Sequence, residues 1–241
     1  MLLFENVTKQ YGARPVLDNI NLKIEGGEFV TLIGQSGAGK STLLHALIGA
    51  TKIDKGGIYI DGYPVHEFDN QALQSYRRNL GVIFQDYKLL NKKNVFENIA
   101  YAMEVCGCED ESIQTRVIEV LRLVGMIDHQ SKFPDELSGG EKQKTAIARA
   151  LVHNPKLIIA DEPTGNLDPE ASKSIIELLL MLNTVGITVI LATHNKDLVN
   201  MIQRRVVVLK QGQIVSDRAK SGYEVVSKIY EEMEILEIKE E

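Results

Sequence analysis

A chain of 241 residues, 44% hydrophobic and 25% charged, can bury a sizeable core and has the composition of an ordinary globular protein. No apolar run approaches the roughly 18 residues that span a bilayer, and Met1-Leu2-Leu3-Phe4-Glu5 has no secretory-signal pattern, so a cytoplasmic chain is expected. The net charge of -6 argues against broad nucleic-acid binding, and eight acidic against four basic residues from Ser216 onward place most of it in a C-terminal tail.

Leu2 to Lys9 reads as a first strand, and Ile20, Leu22 and Ile24 alternate with polar neighbours, as in a half-buried strand. Gly26-Gly27 turns the chain into Phe29–Ile33, a short apolar run of the kind found in buried parallel strands. Thr42 to Ile48 has helical character, and turn glycines bound a further strand at Ile58-Tyr59-Ile60. Asn70 to Arg78 is expected to be helical, with a strand over Leu80 to Phe84 ending at Gln85. From there to about Pro155 the pattern is mostly α. Val95 to Val105 and Ser112 to Val124 have helical spacing, and Asn94 and Ser112 mark plausible N-termini. Leu157 to Asp161 resumes the α/β pattern, followed by a helix from about Glu170 to Asn183 and a strand over Ile187 to Ala192. Val206 to Leu209 and Gln213 to Val215 flank Gln211-Gly212, a hairpin signal. Strands alternating with helices predict a mainly parallel sheet with helices on its faces.

Cys106 and Cys108 are the only cysteines. Their spacing can offer two metal ligands, but no neighbouring His or Cys pair completes a tetrahedral site, so reduced, incidental thiols are expected.

The loop Gly34-Gln35-Ser36-Gly37-Ala38-Gly39-Lys40-Ser41-Thr42 follows a buried strand and opens a helix. This is the context a phosphate-binding loop requires. Its glycines let backbone N–H groups turn inward, and the helix N-terminus favours an anion. In that motif Lys40 reaches the β- and γ-phosphates and the Ser41 hydroxyl binds Mg²⁺. Asp161-Glu162 ends an apolar strand, where an aspartate can hold a Mg²⁺ water shell and the next carboxylate can orient or deprotonate water. Acid pairs after strands are common, so the loop upstream supplies much of their weight. Gln85 and His194 also follow strands, at the edge where parallel-sheet sites lie. Singly, each is more often a cap or surface residue. His45, His66, His129 and His153 have no such company and receive no role. Ser138-Gly139-Gly140-Glu141 has the spacing of a capping box. Two glycines in the first turn cost helix propensity, about 1 kcal/mol each relative to alanine. A cap alone does not require them, and exposed amides there suit a phosphate.

Taken together, residues 2–215 resemble the ATPases of the ATP-binding cassette (ABC) family. Gly34–Thr42 corresponds to Walker A, Gln85 to the Q-loop glutamine, Leu137–Glu141 to the signature, Leu157–Glu162 to Walker B, Asn166-Leu167-Asp168 to the D-loop and His194 to the switch histidine. The resemblance implies an α/β P-loop fold with a RecA-like core, an N-terminal antiparallel β subdomain and a helical subdomain inserted at about residues 86–155. The domain would span residues 1–220, followed by an acidic tail over 221–241. It implies Mg-dependent ATP hydrolysis, with Tyr11 stacking on adenine and Gly34 to Thr42 on the phosphates. Ser41, Gln85 and Asp161 would serve the metal, and Glu162, His194 and Gln85 the chemistry. Two cassettes would pack head to tail, so that Ser138, Gly139, Gly140 and Glu141 meet the ATP held by the partner's loop and Asp168 crosses the same interface.

The strings Phe84–Leu90, Phe133–Leu137 and Ala160–Asp168 are similar to those of a mechanotransmission branch whose ATPases serve a polytopic membrane subunit from the cytoplasmic face. Phe84-Gln85-Asp86 with Lys88-Leu89-Leu90 leans toward its cell-division members, with control of septal cell-wall hydrolysis as the implied role. Lipoprotein release or macrolide efflux is the alternative, and a soluble ABC ATPase of DNA repair or translation a third. No nucleic-acid partner is expected. Two departures stand out. Lys142-Gln143-Lys144 replaces a run that relatives end in arginine, and lysine lacks arginine's planar fork. Lys92-Lys93-Asn94 replaces a segment that usually ends in Arg-Thr, within the block that docks the membrane subunit. In the tail, Val225, Val226, Ile229, Met233 and Leu236 have loose helical spacing, read as a solvated helix packed on its own domain or as a partner or dimer contact.

Overall fold

A computed structural model describes residues 1–12 and 14–219. The expected tail helix lies outside the described residues. In chain order the elements are β1 (Leu2–Tyr11), β2 (Arg14–Ile24), β3 (Phe29–Ile33), α1 (Lys40–Leu47), β4 (Lys55–Ile60), β5 (Tyr63–Pro64), α2 (Asn70–Arg78), β6 (Leu80–Ile83) and α3 (Val95–Glu104). Then follow α4 (Asp110–Leu123), α5 (Gly139–Leu151), β7 (Leu157–Asp161), α6 (Pro169–Thr184), β8 (Thr188–Ala192), α7 (Lys196–Ile202), β9 (Arg205–Lys210) and β10 (Gln213–Arg218). The chain divides into two compact units, Met1–Asp69 with Ile190 onward, and Asn70–Val189.

In the first unit β2, β1, β4 and β5 form an antiparallel sheet in that order. Along β1 the buried residues are Leu2, Phe4 and then Val7, a break in strict alternation. A register shift between Phe4 and Val7 accounts for it. Asn6 takes φ 49° and donates its N–H to Asn21 Oδ1 at 3.0 Å, so one extra residue is absorbed and the apolar face is recovered. Elsewhere in this unit β3 pairs in parallel with β9, and β10 returns antiparallel along β9. Every residue of β3 is buried, as expected for a parallel strand covered on both faces. Ile33, Val199, Val206 and Val208 form a buried cluster against which Val215 packs.

The second unit contains the parallel pair β6 and β7 and the helices α2 to α6. Asn94 caps α3 through a capping box with Glu97, each side chain accepting the other's N–H at 2.8 Å. Helix α4 begins two residues before the expected cap: Glu109 is the N-cap residue and Ser112 lies within the first turn. Asp110 and Glu111 in that turn complement the helix dipole, which lets the helix start without a hydroxyl cap. Strand β8, buried throughout, begins in the second unit and ends in the first. The molecule is a mixed α/β protein with an antiparallel β region and a helical region. No helix among the described residues is long and apolar enough to cross a membrane.

Candidate active site

In the first unit the chain between β3 and α1 folds into a tight loop whose tip, Gln35 to Gly37, is exposed. Gly39, the N-cap of α1, has φ 105°. A Cβ there would lie 2.7 Å from the Val16 carbonyl oxygen, so glycine alone lets the helix start this close to β2. Helix α1 has neither a side-chain cap nor an acidic residue in its first turn, which leaves its positive end to an anion. Lys40 is buried, and its ammonium donates to the carbonyls of Gly34 at 2.9 Å and Gln35 at 3.3 Å. Ser41 is exposed and Thr42 half-buried.

The β9–β10 turn braces this loop. Gly212 donates its N–H to the Ala38 carbonyl at 3.1 Å and accepts from Asp18 N–H at 2.8 Å. A pocket lined by Gln35 to Ala38 and by Leu209 to Gln211 opens between them. Tyr11 ends β1 and is 57% exposed, with the Lys9 ammonium 5.1 Å from its ring centroid. His194 sits on an exposed turn between β8 and α7. Thr193 Oγ1 accepts from Asn195 N–H at 3.1 Å, and Asn195 Oδ1 caps α7 by accepting from Asp197 and Leu198.

In the second unit Asp161 ends β7, and Glu162 follows with φ 51°. Left-handed backbone in a residue with a Cβ is uncommon outside strained or functional turns. Among the described residues, Asp161 Oδ1 is buried without a hydrogen-bond partner. An orphaned carboxylate oxygen suits a hard cation or its water shell, so the residues present fit Mg²⁺. Gln85 and Asn166 are joined: Asn166 Nδ2 donates to the Gln85 carbonyl at 3.2 Å, and Gln85 Nε2 approaches Asn166 Oδ1 at 3.5 Å. Asp168 caps α6, its Oδ1 accepting from Ala171 N–H at 2.8 Å.

Ser138 and Glu141 form the expected capping box at the start of α5. Ser138 Oγ accepts from Glu141 N–H at 3.3 Å, and Glu141 Oε2 accepts from Ser138 N–H at 2.7 Å. Glu141 Oε1 also meets His129 Nδ1 at 2.9 Å. The hydrogen bond from Ser138 N–H, with His129 and Lys132 nearby, holds the Glu141 carboxyl below its ordinary value. Lys142 N–H goes to the Ser138 carbonyl. Among the described residues no protein acceptor takes the N–H groups of Gly139 and Gly140. The two glycines also allow close packing. A Cβ at Gly139 would lie 3.0 Å from Leu167 Cδ2 and 3.2 Å from the Tyr87 hydroxyl, and one at Gly140 would lie 3.2 Å from Ala171 Cβ. The turn thus rests on Leu167, Ala171 and Tyr87.

Within the second unit, then, Gln85 meets Asn166, and the Ser138 turn packs against Leu167. Sequence reasoning missed Tyr87, Arg149 and Asn98, which shape the segment after Gln85, and His129, which pairs with Glu141. Glu141 spaced three after Ser138 was a legible cap, but nothing local signals its meeting with His129. Lys142 and Lys144 are half-buried. Cys106 does have a neighbouring histidine, with Sγ 3.7 Å from His153 Nε2. Among the described residues no three His, Cys, Asp or Glu side chains gather as a metal cage.

Comparison with known proteins finds the family that the sequence resembles. The family profile for ABC transporter matches residues 17–165. The chain is 48% identical to the cell division ATP-binding protein FtsE of Streptococcus pneumoniae serotype 2 over 219 residues, covering 90% of this chain and 95% of that protein. It is 45% identical to FtsE of Mycobacterium tuberculosis, covering 92% and 98%. It is 41% identical to the methionine import ATP-binding protein MetN of Clostridium acetobutylicum, covering 89% of this chain and 67% of that one. Among solved structures, the dimeric post-hydrolysis state of the ATP-binding cassette MJ0796 bound to ADP and Pi superposes with a TM-score of 0.82 at 34% identity, covering 92% of this chain and all of that one. Matched by these cassettes over most of its length, the chain belongs to the ABC transporter family, as one of its ATPase domains.

Proposed function

We propose that this ATPase works as the FtsE-like subunit of a membrane complex in bacterial cell division, partnering an FtsX-like polytopic protein to control septal peptidoglycan hydrolysis. The observation that carries the mechanistic part is the Ser138 turn. It presents two glycine N–H groups that find no protein acceptor among the described residues, at a helix start, a surface suited to a phosphate that is not held by its own loop. On this reading two copies close over two ATP molecules. Lys40 and the amides of Gly34 to Thr42 bind the phosphates of one ATP, Tyr11 packs on its adenine, and the partner's Ser138, Gly139 and Gly140 reach its γ-phosphate. Glu141 shapes the turn through its cap, and Asp168 lies at the closing interface. Glu162 orients and deprotonates the attacking water, while His194 and Gln85 complete the set around the γ-phosphate. Ser41, Gln85 and Asp161 would hold Mg²⁺, whose chemistry there would be to neutralise charge developing on the phosphates. Hydrolysis is then mostly positioning and charge neutralisation, so closure completes the site.

The division role rests on similarity to FtsE over nearly the whole of both chains, whereas the match to MetN leaves about a third of that protein uncovered. Peripheral placement on the cytoplasmic face of the membrane follows from such a partner. The test is recovery of the Glu162→Gln protein from membranes with what it binds. A polytopic protein linked to cell-wall hydrolases supports the division role, and an importer, efflux or lipoprotein-release complex overturns it.

A further inference from the structure

Helix α5 carries a half-buried cation, Arg149, that the roles above leave unused. Arg149 donates from Nη1 to the Lys88 carbonyl at 2.6 Å and from Nη2 to the Tyr87 carbonyl at 2.9 Å. Burial pulls its guanidinium below the ordinary value. Both acceptors belong to consecutive residues in left-handed backbone, φ 57° at Tyr87 and 52° at Lys88. Neither is glycine, so the conformation needs support from outside the segment, and the two-pronged guanidinium supplies it. The Tyr87 ring then extends toward the other end of α5, where its hydroxyl would lie 3.2 Å from a Cβ at Gly139. Arg149 and Gly139 are separated by about 15 Å of helix rise.

The far side of the same segment is tied elsewhere. Asn98 on α3 is fully buried; it accepts from Leu90 N–H at 2.7 Å and donates to the carbonyls of Leu90, Lys93 and Asn94. Residues 90–94 therefore follow α3, while residues 87 and 88 follow α5. The segment after Gln85 is thus linked to the Ser138 turn through Arg149 and the Tyr87 ring.

We propose that Arg149 and Tyr87 form a strut that sets the Ser138–Gly140 turn relative to the segment following Gln85, with Arg149 as a positioning residue for ATP-driven closure. This rests on the two-copy ATPase reading above. The test uses Arg149→Met, Arg149→Lys and Tyr87→Ala, each alone and combined with Glu162→Gln in the full chain. ATP affinity of the dilute, monomeric chain should stay within about twofold of the parent, because Lys40 and its loop are unchanged. The ATP-dependent dimerisation constant in the Glu162→Gln background should weaken at least tenfold with Arg149→Met and Tyr87→Ala, and kcat in the otherwise unaltered chain should fall alongside. Arg149→Lys, which keeps the charge but not the fork, should fall between. Unchanged dimerisation in the folded variants overturns the strut. So does an equal loss of ATP affinity and dimerisation, the mark of a merely structural role. If Arg149→Met does not fold, Tyr87→Ala decides the matter. Failure of Glu162→Gln alone to dimerise overturns the two-copy reading and the strut together, whereas its dimerisation beside equally dimeric strut variants overturns the strut only.

Discussion

Glu162 pairs an acidic side chain with a backbone conformation that disfavours any residue bearing a Cβ, at about 1–2 kcal/mol. The turn that holds it is closed by Gly165, whose N–H donates to the Glu162 carbonyl at 3.1 Å. Strain of this kind persists where position matters more than stability. Loss of a positioned general base typically costs 10²–10⁴ in rate. Glu162→Gln should therefore lower kcat by about that factor in a phosphate-release assay, with ATP binding retained and an ATP-bound dimer accumulating. Normal turnover would remove Glu162 from the chemistry. Glu141 gives a second prediction, in pH. Its carboxyl sits below the ordinary value of 4.5 because the charged form is hydrogen-bonded by Ser138 N–H. The stability it contributes is fully present above the unfolded value and is lost as pH falls through the folded one. Glu141→Gln, which keeps an acceptor but not the charge, should cost about 0.3–1 kcal/mol at pH 7. In denaturation curves that gap should close below the folded value, and a gap independent of pH would mean that the charge is not what holds the cap.

Helix α5 separates what a sequence shows from what only a fold can. Ser138-x-x-Glu141 announces the cap because both partners lie within one turn, and the same holds for Asn94 and Glu97 at α3. Buried strands β3, β7 and β8 are legible for a similar reason, since each is a continuous apolar run. Gly139 and Gly140 are not explained by the cap, and the reason lies outside the helix, in Leu167, Tyr87 and Ala171. The β9–β10 hairpin is also legible, but its grip on the Gly34–Thr42 loop is not, because Ala38 and Gly212 are joined only by tertiary structure. Helix α7 is not legible in the sequence because seven residues carry too little periodicity to register, and its start rests on one side chain, Asn195. Ser138 allows these local and distant roles to be separated. Ser138→Arg removes the cap, at about 1 kcal/mol, and places a long charged side chain on an exposed turn. ATP binding by the monomer should remain within a few-fold of the parent in equilibrium binding, while ATP-driven dimerisation is abolished. Equal loss of both would reduce the turn to a local cap.

On the scale of the whole chain, the Gly34–Thr42 loop and the Ser138 turn belong to different compact units, and the proposed mechanism has each engage ATP under a different condition. The loop binds within one copy, so its protection by ATP should not depend on protein concentration. The turn binds only ATP held by a second copy, so its protection should rise with concentration as dimers form. Hydrogen exchange on Glu162→Gln with ATP and Mg²⁺ distinguishes the two, because local opening is read segment by segment. Amides of residues 34–42 and of the bracing turn at 209–212 should be protected even in dilute protein. Ligand at a hundred times its dissociation constant stabilises the binding-competent form by about 2.7 kcal/mol, which corresponds to roughly a hundredfold slower exchange wherever opening requires release of ATP. Residues 138–141 should show no change at that dilution and protection only above the dimerisation constant. Lys40→Ala should remove both effects, and Ser138→Arg only the second. Concentration-independent protection of residues 138–141 would place that turn on the chain's own nucleotide and end the case for a site shared between two copies.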